Sequence, residues 1–378
     1  MSRRCSEVSI PDNLCDLHAS GVKLHRRDFL KSSLAGAAGA LLVGGCGGNS
    51  RTACNRNIGD AHAGSVLALA IDSSGTLLAS GSADASVKLW SFPGGTLLHT
   101  LSGHRQAVVS LAIAPGGTLL ASGSKDNTIK LWSLPDGALI TTLSGHTNAI
   151  AGLAFSLDGQ MLISGSADST VKLWNLTDFS PLVTLQGHTA AVRDIAISPD
   201  GTYVVSSSED QTLNLWSLST GALLTTLSTP NGWVNAMAFS PDGTALLTGC
   251  NGGTVILWTM PDCVPALTIK EYGDYVGAVA IAPDKSMLAS AVGKLDATVG
   301  GTPDPTFRLW RGFDGVLAKT IDDHQDYVHA LAMSPDGTLL VSGSADKSIR
   351  LWQMPKGSYV TSASDPALPI QVVVSFSC

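Results

Sequence analysis

A histidine, a serine and an aspartate recur together five times along this 378-residue chain. The sets are His62, Ser80 and Asp84; His104, Ser122 and Asp126; His146, Ser164 and Asp168; His188, Ser206 and Asp210; and His324, Ser342 and Asp346. A serine nucleophile, a histidine base and an aspartate that orients the imidazole are the parts of an acyl-transfer site. The repetition argues against that use, because an enzyme needs one good site. Each set is also followed by a tryptophan: Trp90, Trp132, Trp174, Trp216 or Trp352. A buried indole N–H needs an acceptor. The serine hydroxyl can accept it and pass its own proton to the histidine, whose other ring nitrogen donates to the aspartate. The four residue types therefore read as a structural network, with no catalytic residue, metal site or cofactor implied.

Such sets need a scaffold that repeats. Trp90, Trp132, Trp174, Trp216, Trp258, Trp310 and Trp352 follow one another at 42 residues, except for one step of 52. A period this long marks a stacked or circular repeat whose units cannot bury their apolar faces singly. Within one unit, Val108–Ile113 and Thr118–Gly123 read as strands joined by Ala114-Pro115-Gly116-Gly117. Thr128–Trp132 alternates like a half-buried strand, and Leu139–Leu143 forms a fourth after Pro135-Asp136-Gly137. Four short antiparallel strands per unit make a propeller blade. The expected fold is all-β, a seven-bladed β-propeller over residues 61–362. Closing the ring removes the sheet edges that invite aggregation.

The units resemble the WD40 family at His62–Trp90, His104–Trp132, His146–Trp174, His188–Trp216 and His324–Trp352, with weaker units ending at Trp258 and Trp310. The resemblance implies that the Trp–Ser–His–Asp network ties each inter-blade loop to its blade. The aspartate that usually follows the family's tryptophan is replaced by Ser91, Ser133, Asn175, Ser217, Thr259, Arg311 or Gln353. Two units lose part of the network. Pro230 and Gly252 stand at the histidine and aspartate positions of blade 5, where Thr248 and Trp258 remain. Tyr272 stands at the histidine position of blade 6, which keeps Ser290, Asp304 and Trp310 and carries the ten-residue excess within 291–303. These blades are expected to be the least stable.

In the resembled family, the face that gathers the inter-blade loops and the strand 2–3 loops is the usual docking surface. Its positions are small in the first three blades: Ser65, Leu67 and Ala83; Ala107, Val109 and Lys125; Ala149, Ala151 and Ala167. Blade 4 offers Ala191, Arg193 and Glu209, and blade 5 offers Trp233, Asn235 and Asn251. Blade 6 offers Tyr275, Gly277 and Pro303, and blade 7 offers Tyr327, His329 and Ala345. Trp233 lies outside the tryptophan register. Trp, Tyr and Arg are enriched at binding hot spots, so Arg193, Trp233, Asn235, Tyr275, Tyr327 and His329 form a candidate partner-binding arc over blades 4 to 7.

Residues 1–45 are a different kind of sequence. Arg26-Arg27-Asp28-Phe29-Leu30-Lys31 precedes a short, Gly- and Ala-rich apolar stretch ending at Val43, too short for a membrane span of about 20 residues. It resembles a bacterial twin-arginine signal. Val43-Gly44-Gly45-Cys46 resembles a lipobox, which makes Cys46 the lipidated first residue and 46–60 a linker. In an oxidising compartment, Cys54 and Cys378 near the two chain ends are an expected pair. Cys250 and Cys263 are expected at opposite ends of one blade, beyond disulfide reach. The last blade is expected to be completed by Gly357–Ser362. The tail 363–378, with strand-like Ile370–Phe376, is an alternative closing strand or an extra outer one.

Charged residues make up 14% of the chain and the formal charge is −7. No basic stripe offsets that charge, which argues against nucleic acid. The expected function is that of a non-catalytic, monomeric protein–protein interaction scaffold, exported and held at the envelope by lipid alone. The alternatives are a small-molecule or glycan sensor using the aromatic arc, and a propeller hydrolase. The hydrolase needs acids or metal ligands on the innermost strands, and strands such as Val66–Ile71 and Val108–Ile113 offer almost none.

Overall fold

A computed structural model describes residues 61–229, 231–270, 275–293, 304–312, 314–354 and 372–376. They form seven four-stranded antiparallel sheets in which every strand pairs with its neighbour in sequence. Blade 1 comprises Val66–Ile71, Leu77–Ser82, Val87–Ser91 and Leu97–Leu101, and the pattern repeats to blade 7, which begins at Val328–Met333. The innermost strand of blade 1 packs beside that of blade 7, so the ring is closed.

The core lies between blades. Each apolar cluster draws on two neighbours: Leu77, Val87 and Leu101 of blade 1 pack with Val108, Leu120 and Trp132 of blade 2. At the closure, Val66, Leu78 and Trp90 pack with Val341, Ile349 and Leu351. Burying one indole contributes on the order of 4–6 kcal/mol before entropy is charged against it. The approach is close because a glycine faces the next blade's first strand. A Cβ on Gly81 would lie 2.7 Å from Val108 Cγ1, and one on Gly123 would lie 2.5 Å from Ile150 Cγ2.

The turn after each tryptophan manages without the family's aspartate. In blade 2 the backbone closes it, with Ser133 N–H donating to Ala138 O at 2.8 Å and Gly137 N–H to Ser133 O at 2.8 Å.

The fourth strand of blade 7 differs from expectation. It is Val372–Phe376, antiparallel to Ile349–Gln353 with Ile349 opposite Phe376 and Leu351 opposite Val374. The propeller therefore extends past residue 362. The β-branched run Val372-Val373-Val374 suits a strand better than Gly357–Ser362, and the latter lies outside the described residues, as do 1–60, Pro230, Tyr272 and Pro303. The twin arginines, Cys46, Cys54, Cys378 and the long blade 6 loop thus lie outside them too. Cys250 and Cys263 are free thiols, the first at the end of strand Ala245–Cys250 and the second in the turn after Thr254–Thr259.

Candidate functional site

The repeated network has the connectivity of a catalytic triad and the burial of a structural tie. In blade 2, Trp132 Nε1–H donates to Ser122 Oγ at 2.8 Å, and Ser122 Oγ meets His104 Nε2 at 2.8 Å. His104 Nδ1 meets Asp126 Oδ2 at 2.9 Å. The corresponding Ser–His and His–Asp distances are 2.7 and 3.1 Å for His62, 2.8 and 2.8 Å for His146, 2.7 and 2.9 Å for His188, and 2.7 and 2.8 Å for His324. Every one of these serines is 0% exposed. A serine oxygen sealed from solvent and already accepting an indole proton cannot attack a substrate.

The electrostatics agree. Burial pulls His62 down to about 4 and lowers His104, His146 and His324. A neutral imidazole protonated on Nδ1 accepts from serine and donates to aspartate, completing a one-way chain of donors. Burial would raise Asp126, but bonds from the Thr128 hydroxyl, Arg105 N–H and His104 outweigh it and hold the acid at about 2. Since Arg105 belongs to the inter-blade loop and Thr128 opens the third strand, Asp126 in the turn before it ties the two together.

Blade 5 keeps a shortened version: Trp258 donates to Thr248 Oγ1 at 2.9 Å, and Thr248 donates to Ile256 O at 3.2 Å. In blade 6, Trp310 donates to Ser290 at 2.8 Å.

A second feature aims side chains at one place. In every first strand the pairing register skips one residue near the start: Leu67, Val109, Ala151, Arg193, Asn235, Gly277 and His329. A bulge of this kind re-aims the unpaired side chain. Six of the seven skipped residues, all but Leu67, line one cavity of about 350 Å³ at the mouth of the ring.

The cavity brings together Arg193, Asn235, Tyr275 and His329 of the expected arc. It also reaches across blades 2 to 4, through Lys125, Ala149, Ala151, Ala167, Ala191 and Glu209, so it is wider than the arc. Trp233 adjoins it, its indole N–H donating to Asn235 Oδ1 at 3.1 Å, while Asn235 Nδ2 donates to Val276 O at 3.2 Å. Tyr327 is not part of the lining, but its hydroxyl acts electrostatically on Tyr275, whose pKa is raised chiefly by burial. The Tyr275 ring lies over Gly277, where a Cβ would stand 3.0 Å from Cε2. Arg193 is held by Glu209 at 2.6 Å. Burial lowers His329, which keeps it neutral near pH 7.

Asp194 was missed by the sequence reading. Where the other first strands carry Ala68, Ser110, Gly152, Ala236, Ala278 or Ala330, blade 4 has an acid, and that departure was the available signal. Its Oδ1 accepts from Ile195 N–H at 2.8 Å. Its Oδ2 accepts from Met237 N–H at 2.7 Å, bridging to blade 5. Burial, opposed by these two N–H groups, raises its pKa to about 7. Both oxygens serve the backbone, so the acid reads as an inter-blade tie. Among the described residues no group of three or more His, Cys, Asp or Glu is placed to hold a metal ion.

A closed ring of seven four-stranded blades, tied by buried Trp–Ser–His–Asp chains and bearing a mouth of bulged side chains, is a β-propeller of the repeat class. The chain is a WD40-repeat protein: residues 54–91, 95–133 and 315–353 match the WD domain, G-beta repeat. Residues 127–300 match the family described as the IFT122 first beta-propeller. Residues 23–43 match the twin-arginine translocation pathway signal sequence, a mark of export across the membrane. Similar relatives include Protein ENHANCER OF LHP1 1 of Arabidopsis thaliana, 40% identical over 72 residues (18% of this chain, 8% of that protein). The Nuclear distribution protein PAC1 of Tuber melanosporum is 37% identical over 67 residues (18% and 15%). The Small ribosomal subunit protein RACK1y of Oryza sativa subsp. japonica is 36% identical over 59 residues (16% and 18%). The chain spans less than a fifth of the length of each of these relatives.

Proposed function

We propose that this protein is a non-catalytic interaction scaffold, exported and held at the cell envelope by lipid on Cys46, which takes a protein partner on the face around the ring's mouth. The observation that carries the reading is the bulge in all seven first strands, six of whose skipped residues line one opening. Trp233 supplies a large, rigid contact surface. Its bond to Asn235 fixes the ring before a partner arrives, which reduces the ordering cost of binding. Tyr275 and Tyr327 extend that surface across blades 6 and 7.

Changing Trp233, Tyr275 and Tyr327 together to Ala should abolish capture of envelope partners by the purified protein while leaving the fold intact. Unchanged capture by a folded triple variant would sink the proposal. The lipid anchor is tested separately: Cys46→Ser should move the protein from the membrane pellet to the soluble exported fraction.

The cavity volume of about 350 Å³ sits at the small end of ligand pockets and favours a small-molecule or glycan sensor as the second reading. A thermal-shift screen of sugars and small metabolites separates the two. A stabilising hit lost in the triple variant would support the sensor.

A further inference from the structure

The mouth is chemically lopsided. Blade 3 contributes only Ala149, Ala151 and Ala167 besides Ile150, and it lies between two blades that each bring a cation: Lys125 from blade 2 and Arg193 from blade 4. Arg193 is already neutralised by Glu209. Lys125 is exposed and forms no ion pair among the described residues. The acidic groups beside it offer no compensation, because Asp126 is committed to His104, Arg105 N–H and the Thr128 hydroxyl. His329 across the opening adds no charge, being neutral. The lining therefore holds one uncompensated positive charge beside an apolar floor, on a chain whose formal charge is −7.

We infer that the mouth is built for an acidic protein segment: a small apolar side chain seats on the alanine floor of blade 3, and a neighbouring carboxylate pairs with Lys125. This deepens the proposal above and rests on its docking face. The alanine methyls of the floor offer apolar contact and no side-chain hydrogen-bond partner, which suits an aliphatic side chain. A basic segment would meet Lys125 with like charge and would have to displace Glu209 from Arg193. A polar neutral segment would cover the apolar floor without filling it. The attraction is partly solvent-exposed, so it weakens as ionic strength rises.

The test pans a random peptide library on the immobilised mature protein, with Lys125→Glu and Ala151→Trp variants in parallel. Enrichment of peptides pairing Asp or Glu with Val, Leu or Ile is expected on the wild type. For one enriched peptide, Lys125→Glu should weaken binding about tenfold or more, Lys125→Arg should retain it, and added salt should weaken it. Ala151→Trp should remove it. Lys125 is exposed, so its variants remain informative if Ala151→Trp unfolds. Enrichment of basic or aromatic peptides, absence of enrichment, or binding indifferent to Lys125→Glu would each overturn the inference. If partner capture is still lost in the Trp233, Tyr275 and Tyr327 triple variant, the docking face stands and only the acidic-segment reading falls. If capture also survives that triple variant, both fall.

Discussion

Removing the Ser122 hydroxyl tests whether the repeated network is a tie or an idle triad. Ser122→Ala leaves the Trp132 indole N–H without its 2.8 Å acceptor and His104 Nε2 without its 2.8 Å partner. Ser122 is 0% exposed, Trp132 2% and His104 8%, so water cannot replace either bond. Two orphaned buried polar groups at about 1–3 kcal/mol each give an expected loss of roughly 2–6 kcal/mol. Thr248→Val in blade 5 is the internal control. It keeps the side-chain shape, orphans the indole N–H of Trp258 and removes the hydroxyl from Ile256 O with no histidine involved, for about 1–3 kcal/mol. Both losses are read from urea unfolding followed by tryptophan fluorescence and circular dichroism, with coincidence of the two probes checking that the ring unfolds as one unit. A Ser122→Ala loss below about 1 kcal/mol, or one equal to that of Thr248→Val, would refute the reasoning. It would mean that the His–Ser link contributes nothing beyond the indole bond.

Titration and packing give three further predictions. His62 titrates at about 4 in the folded chain against 6.5 unfolded, so the unfolded chain binds the extra proton between those values and stability falls as pH drops from about 6.5 to 4. Asp194 works the other way. Its folded pKa is raised from 3.8 to about 7, so its contribution is full below about 3.8 and is lost as pH rises to about 7. The wild-type minus Asp194→Asn difference in melting temperature should therefore shrink over that window, and a flat difference would refute the assignment. Gly123→Ala places a Cβ 2.5 Å from Ile150 Cγ2 and should cost about 1–3 kcal/mol by overpacking. Trimming the neighbour in a Gly123→Ala, Ile150→Val double variant should restore part of that loss in the same unfolding assay.

The architecture was legible because each unit is local. Strand, turn and tryptophan recur within 42 residues, and a period needs no tertiary information to be read. The donor and acceptor types of Trp132, Ser122, His104 and Asp126 likewise determine one sensible order of hydrogen bonds. The candidate site was legible in part. Arg193, Asn235, Tyr275 and His329 do meet in one cavity, but the alanines of blade 3 looked featureless one by one. Their meaning comes from lying together between Lys125 and Arg193. Strand Val372–Phe376 was harder because the spacing of the other blades pointed to Gly357–Ser362, whereas the β-branched run that pairs with Ile349–Gln353 lies further along the chain, past an unpatterned stretch.

The chain by itself determined the number of blades, the order of their strands and the make-up of the internal ties, since these depend on residue type and spacing within one repeat. Only the tertiary structure decided where side chains point and what they feel. A one-residue bulge turns Asn235 and His329 into the mouth. The approach of Met237 N–H from the neighbouring blade holds Asp194 in place, and Glu209 turns Arg193 from a free charge into half of a pair. Register slips and inter-blade contacts join residues that are distant in sequence, and a repeat pattern carries no record of such meetings.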